Sequence, residues 1–598
     1  MYDFTKEQLL AALNAHDKDA AVKITPEKIA EMKANPLLKN SFESLEKCRE
    51  FYREKPLYSI PFSLLKRFEE DGDRSEFEYS ERGYFRHRGH LETWALSALF
   101  YGEKEDISLL EDVIWAICDE YTWSLAACMT GDQGIYVNYQ PDRYTIDLFA
   151  AETAQALAET LQIVGDKLNP LVVQRARREI KTRVIDRYLY GDPSDFWWIN
   201  TTNNWAAVCA GSVGMAAICE LDDNEKLAEV IEKVLISMRA FMSGFSKDGV
   251  CLEGMGYWNY GFGYFACFAD MLYRRTEGEI NLFDDEKTHL VALFPTKTFF
   301  YGSRTVGFSD SGNRGGLNIG EISMLKKHYP DMVVPASAKF ATSIYINGCH
   351  RFALSLRELL WADSELPQSQ DGLHIYPFPY AQWYVANGKH DFGFTAKAGA
   401  NNEPHNHNDI GHFIVFKKGV EFFADLGSGQ YSKQYFGPER YTIAHCGSQG
   451  HSVPIIDGIY QSAGREFYAK DVSVSSEGIR MDMAGAYRCE NLTSLIRDFK
   501  FDAENAAVSM TDSFTFVEAP KALTERFLTR IRPTVSDGSV TLSEGELSVS
   551  LYFDKDLFDV EILPQEDKDH SGRPIKFYYI NLKVKAPEKT MDFSFEIK

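Results

Sequence analysis

Long apolar runs are missing from this 598-residue chain: nowhere are enough consecutive residues apolar to cross a bilayer. Basic residues are also scarce, 64 lysines and arginines against 87 aspartates and glutamates, for a net charge of −23. That balance argues against nucleic acid and against an anionic membrane as partners, because both select a basic face. The ten cysteines include no C-x-x-C pair. Several, such as Cys118, Cys209, Cys219 and Cys267, stand in apolar helical text and read as small buried hydrophobes. A disulfide framework is therefore not expected, and a reducing compartment is. The N-terminus lacks a basic segment followed by an apolar one. The expected location is cytoplasmic, or secreted or periplasmic if a leader has been removed. No Pro/Gly/Ser-rich linker divides the chain, and no fixed-period repeat runs through it.

What is present is the composition of a soluble globular protein, 44% hydrophobic and 25% charged. The length exceeds one ordinary core, so two or more domains are expected. Aromatic residues at 14% fit either large cores or sugar stacking.

Apolar spacing up to about residue 360 is helical. It predicts helices over Leu91–Tyr101, Asp112–Ala126, Thr145–Ala158, Trp205–Leu221 and Leu227–Phe241, with turns at Gly102, Gly131-Asp132, Gly191-Asp192-Pro193 and Asp222-Asp223. Many helices in succession suggest a toroid or solenoid of helical hairpins. Near Leu373 the text changes to short alternating runs: His374–Ala386, His412–Phe416, Glu421–Leu426, Phe467–Val474, Ala507–Phe516, Val540–Phe553 and Lys576–Lys585. These predict an antiparallel β domain packed directly on the helical one, with a cleft between them.

The densest chemical signal is Glu403-Pro404-His405-Asn406-His407-Asn408-Asp409. Five of the fourteen histidines lie between residues 405 and 451: His405, His407, His412, His445 and His451. In a strand, His405 and His407 would share a face and a metal; in a loop, one could bind metal while the other faces a ligand. A strand ending at Asp425 and another opening at His451 would bring a carboxylate and an imidazole to the same place, a donor set that suits zinc. In the helical half, Thr201-Thr202-Asn203-Asn204-Trp205 precedes an apolar helix, where adjacent asparagines also suit an N-cap. Further on, the segment Asp248 to Tyr264 interleaves glycines with three tyrosines and Trp258, and reads as an exposed aromatic loop leading into a helix.

Taken together these five segments, in their order along the chain from Asn204 to His451, resemble the heparinase II/III-like polysaccharide lyases. The resemblance implies an α+β multidomain fold: an incomplete (α/α) toroid over residues 1–365, followed by an antiparallel β-sandwich domain over 366–598. It implies cleavage of a uronic-acid-containing, glycosaminoglycan-like polysaccharide by β-elimination. Asn204 matches the asparagine that neutralises the uronate carboxylate, Tyr257 the tyrosine acid, and His405 the histidine facing substrate. His407, Asp425 and His451 match the ligands of one mainly structural metal ion, expected to be Zn2+. Trp205 departs from the histidine that several members carry after the asparagine, which leaves the accepted uronate epimer open. Tyr260 and Tyr264 stand close enough in sequence to be alternative acids.

The chemistry accounts for these residue types. Removing the C5 proton of a uronate builds charge on its carboxylate, which neutral or positive donors must absorb. A base takes that proton, and an acid protonates the leaving glycosidic oxygen. Expected substrate contacts are Arg86, Arg88, Trp205, Trp258, Tyr260 and Glu403. The two arginines fall in a rare basic concentration, Arg82 to His90, which suits sulfate or carboxylate groups or a solvated turn. The expected partner is an acidic polysaccharide or oligosaccharide, and a homodimer is left open. Two other functions compete. A glycoside hydrolase would need a carboxylate pair, for which Asp142, Asp147, Glu152 and Glu253 are candidates. A non-catalytic sugar-binding protein would need only the aromatic groove.

Overall fold

The structure, a computed structural model, describes residues 2–598 except 72–73, 130–143, 337–339, 341–342, 345–347, 369–371, 404 and 433. The expected turn at Gly131-Asp132, the carboxylate Asp142 and Pro404 lie outside the described residues. Helices occupy the chain from Lys6–Ala15 to Phe352–Trp361, and the antiparallel sheets from His374–Phe378 to Thr590–Ile597. The helical part also holds a small antiparallel pair, Phe299–Phe300 with Arg304–Thr305, too short to leave a periodic signal.

The central helix is Asn204–Glu220. Its residues are small or apolar on every side, and all but Trp205 and Glu220 are buried. It packs on Leu148–Val164, Asn224–Ser243 and Met255–Arg275. Two expected helix starts are corrected. Tyr84–Phe100 begins before Leu91, and Lys104–Asp119 replaces Asp112–Ala126. In the first case, basic residues that suited a surface turn find partners inside: Arg88 is buried, stacks 3.5 Å over Tyr84 and pairs with Glu120.

A buried carboxylate in this part carries a pH prediction. Glu321 and Glu358 lie on the packed helices Ile319–His328 and Phe352–Trp361. Burial first, and then the Glu358 charge, pushes Glu321 up to about 8. The folded state thus holds a proton that the unfolded chain releases near about pH 4.3. Stability contributed by the protonated form is lost as pH rises from there through about 8. The variant Glu321→Gln should therefore gain in Tm relative to the wild type, by a few degrees, between about pH 5 and about pH 9. Thermal melts of both proteins across that range check it.

The first sheet is a meander of His374–Phe378, Trp383–Asn387, Phe392–Lys397, Phe413–Lys417 and Val420–Phe423. Its middle strands are buried on both faces. Alternation divides them between two cores. Trp383, Val385, Ile414 and Phe416 pack with the helices. Tyr384, Ala386, Phe413 and Val415 pack with the later strands. This sheet joins the halves directly, and no linker is needed. Beyond it lie an eight-stranded sheet, from Lys470–Val474 at one edge to Thr534–Ser536 at the other, and a four-stranded sheet containing Ile455–Ile456, Leu523–Thr529, Phe558–Lys568 and Pro574–Val584. Two expected runs each proved to be two strands. His374–Ala386 turns at residues 379–382, and Val540–Phe553 turns at residues 545–546.

Candidate active site and metal cluster

The segment holding His405 and His407 is a loop between Phe392–Lys397 and Phe413–Lys417, not a strand. His405 has φ +53°. The two imidazoles consequently diverge. His405 goes to the helix Met255–Arg275, where its ring stacks on Tyr257 with centroids 4.2 Å apart and its Nδ1 lies 3.3 Å from the Tyr257 hydroxyl. His407 turns inward toward Asp425 and His451. Those two ligand segments are also less regular than expected: the strands end at Phe423 and begin at Ile455, so Asp425 and His451 stand on flanking loops.

Asp310, which the sequence did not single out, joins the two groups. Its Oδ2 lies 2.8 Å from His405 Nδ1 and its Oδ1 3.0 Å from His407 Nε2. Arg440 Nη2 donates to both oxygens at 3.1 Å, and the Tyr435 hydroxyl donates to Oδ1. Burial opposes ionisation of Asp310, but these histidine bonds and the Arg440 charge outweigh it and hold the carboxyl well below the usual range. Gly254 sets the close approach of this loop to the helix start. It has φ +93°, and a Cβ there would stand 2.5 Å from Ser311 Cβ.

Tyr257 is half-buried, and its hydroxyl is also 3.3 Å from that of Tyr431. Burial above all, then Tyr431, Asp310 and Glu253, raises this hydroxyl far above the ordinary phenol range. The resting side chain is therefore a proton carrier, not a phenolate. Asn204 lies beside the same helix. Gly261, one turn on from Tyr257, approaches so closely that a Cβ there would be 3.1 Å from Asn204 Cβ. Capping does not explain Asn204: the cap is Asn203, whose side chain accepts from Trp205 N at 3.2 Å.

His407, Asp425 and His451, with Asp409, place one potential ligand atom each within 4.8 Å of one another. His407 Nδ1, Asp409 Oδ2 and His451 Nε2 are buried with no hydrogen-bond partner, a costly arrangement unless a cation satisfies them. The opposite ring atoms are engaged, His407 Nε2 by Asp310 and His451 Nδ1 by Gly447 O at 2.9 Å. That is the outer support expected around metal-binding imidazoles. Burial, outweighing the Asp425 charge, pushes His451 down to about 4 and keeps it neutral. Burial would lower His407 as well, but Asp310, Cys446 and Asp425 lift it to about 10, so the cluster attracts positive charge. His412 is close to Asp425 Oδ2, at 3.2 Å, but its Nδ1 accepts from Ser452 N. Its Nε2 then bears the proton and cannot ligate. A second grouping of Asp310, His407 and Cys446 fits a metal less well, because Asp310 is already saturated. The residues present thus fit a divalent ion held by two imidazoles and up to two carboxylates.

The expected substrate contacts divide. Trp205 is half-buried, with its ring 4.8 Å from the exposed Trp197. Tyr260 donates to Glu152 at 2.5 Å and lies 3.8 Å beneath Arg351. Trp258 is fully buried and donates to Val291 O at 2.8 Å. It corrects the expectation of an exposed aromatic loop: the helix already runs from Met255, and each residue turns about 100° from the last, so Trp258 faces away from the side that Tyr257 occupies. Arg88 is spent on Glu120, Tyr84 and Thr153, while Arg86 lies over Phe51 and Tyr52. Glu403 turns inward, 3.4 Å from Lys397 Nζ, and accepts from Ala400 N. Tyr264 is fully buried. Asp310, Tyr431, Tyr435 and Arg440 were missed; each is a single residue in aperiodic text, with no neighbouring pattern to mark it.

No protein-family model matches the chain, and no curated protein matches it by sequence. Solved structures do match in fold. A heparinase III superposes with a TM-score of 0.61 at 12% identity, covering 99% of this chain and 88% of that one. A heparan sulfate lyase from Pedobacter heparinus gives 0.57 at 14% identity, covering 98% and 86%. A variant of the chondroitin AC lyase of Streptomyces coelicolor A3 gives 0.55 at 11% identity, covering 99% and 82%. The chain therefore has the fold of these polysaccharide lyases, along nearly its whole length.

Proposed function

We propose that this protein is a polysaccharide lyase that cleaves a uronate-containing, glycosaminoglycan-like chain by β-elimination. The observation that carries the reading is the Asp310–His405–Tyr257 group. Asp310 accepts from His405 Nδ1, which leaves Nε2, 3.7 Å from Glu253, as the ring atom without a hydrogen bond, on a side chain 24% exposed. In this orientation His405 takes the C5 proton through Nε2, and Tyr257, held as a phenol, gives its proton to the leaving oxygen. Asn204 donates to the uronate carboxylate as charge builds there. Asp310 is a positioning residue, since it fixes the tautomer and ring of His405. A zinc ion on His407, Asp425 and His451 would supply fixed positive charge that orders the loops holding Asp310 and His405. The toroid form of the helical part, the sandwich form of the large sheets and a boundary near residue 365 belong to the same reading.

The described carboxylates named for the hydrolase alternative are engaged elsewhere. Asp147 caps Leu148–Val164, accepting from Ala150 N at 2.7 Å. Glu152 is tied to Tyr260 and Arg351. Glu253 faces His405 Nε2 at 3.7 Å, but its neighbour Asp310 is locked by donors. Incubation with heparan sulfate, chondroitin, hyaluronan and alginate tests the proposal. At least one should yield fragments with the ultraviolet absorbance of an unsaturated uronate. Sugar binding to all of them without such a product would favour a non-catalytic role.

A further inference from the structure

Behind the catalytic group lies a cavity of about 660 Å³, lined by Arg304, Arg314, Arg530, Glu421 and His570 among others. The loop carrying Asp310 forms the wall: Asp310 faces the histidines, while Gly312 to Arg314 face the cavity. Arg304 and Arg314 are directly opposed in an antiparallel bridge. Like charges in that relation destabilise a strand pair. Arg304 spends its donors on Gly419 O at 2.6 Å and Asn313 Oδ1 at 3.1 Å. Arg314 is exposed and has no carboxylate partner among the described residues. Arg530 reaches Glu421 at 3.7 Å and binds the main-chain oxygens of Asp425 and Leu426. Arg304 and Arg530 thus face the inner carboxylate Glu421, and Arg314 adds an unpaired guanidinium, in a chain whose net charge is −23. Burial lowers the Arg304 pKa; Glu421 opposes this, and Arg314 and Arg530 add to it. Of the remaining lining charges, Asp425 belongs to the metal cluster, Arg573 pairs with Asp569 at 2.9 Å, and Glu544 is exposed at the end of the strand Ser539–Glu544.

We infer that this cavity is an oxyanion subsite for a sulfate group carried by the substrate sugar chain, with Arg314 as its free ligand. Planar guanidinium groups suit such oxyanions through paired N–H donors. Its position fits a sugar beyond the cleavage point: His570 on the rim packs 4.6 Å from the ring of Tyr431, whose hydroxyl touches that of Tyr257. The inference rests on the lyase reading for the sugar that carries the anion, but its test needs no turnover.

Calorimetric titration of the full chain with sodium sulfate, against sodium chloride at matched ionic strength, should show saturable binding at one site. Arg314→Ala should weaken it roughly tenfold, the worth of one charge-assisted contact. Tyr257→Phe should leave it unchanged, which separates this site from the catalytic reading. A sulfated uronate disaccharide should bind more tightly than its unsulfated form, and Arg314→Ala should erase the difference. The inference is overturned if sulfate does not bind, if Arg314→Ala binds it as well as the wild type, or if both disaccharides bind alike.

Discussion

Replacing Tyr257 with phenylalanine is expected to lower elimination by about 10²–10⁴-fold while substrate binding stays close to wild type, since general acid catalysis contributes about that much. The change removes one oxygen. The ring, and with it the stack on His405 at 4.2 Å, is kept, so His405 should hold its place. Turnover on the best polymer found, with binding measured separately and folding followed by circular dichroism, checks this. Near wild-type turnover would place the acid elsewhere. Neither neighbour is an easy substitute: Tyr260 is committed to Glu152, and Tyr264 is fully buried. Asn204→Ala should reduce turnover more than binding, because the charge it meets grows only as C5 loses its proton.

Removing one metal ligand should have the other large effect. The wild type is expected to purify with one zinc ion per chain, and His451→Ala to purify without it. An ion present at about 1,000 times its Kd stabilises the fold by about 4 kcal/mol. The variant should therefore lose stability on that order, along with an elimination rate that depends on the ordered His405 loop. Elemental analysis and thermal melts test both parts. Stoichiometric zinc retained by His451→Ala, or no zinc in the wild type, would remove the ligand assignment. The buried His407 Nδ1 and Asp409 Oδ2 would then need another cation.

How much of this was legible depended on whether the information was periodic. Asn204–Glu220 could be read because it is apolar on nearly all sides, and Ala507–Phe516 because its apolar alternation over ten residues is interrupted only at Asp512. His374–Ala386 read as one strand because the tight turn before Trp383 interrupts the alternation only briefly. The divergence of His405 and His407 was open in the sequence, since i and i+2 share a face only in a strand, and the loop settled it. Trp258 was misplaced for the complementary reason: neighbours in a helix face different directions, whatever their chemistry. Asp310 could not have been found this way. It stands 95 residues from His405 and 130 from Arg440, and only the packing of the helical part on the first sheet brings them together. The arginines of Arg82 to His90 attracted attention as a cluster, yet Arg88 serves the helical core. The charges facing a cavity, Arg304, Arg314 and Arg530, were scattered along more than two hundred residues.

The central claim, that the glycosidic bond breaks by elimination and not by hydrolysis, is tested most directly by running the cleavage in water enriched in heavy oxygen and weighing the products. Elimination takes no oxygen from solvent. The new non-reducing fragment should be unlabelled, lighter by one water than a hydrolysis product, and unsaturated between C4 and C5 of its terminal uronate. Incorporation of one heavy oxygen per bond cleaved, in fully saturated fragments, would contradict the account and make the chain a hydrolase on a lyase fold.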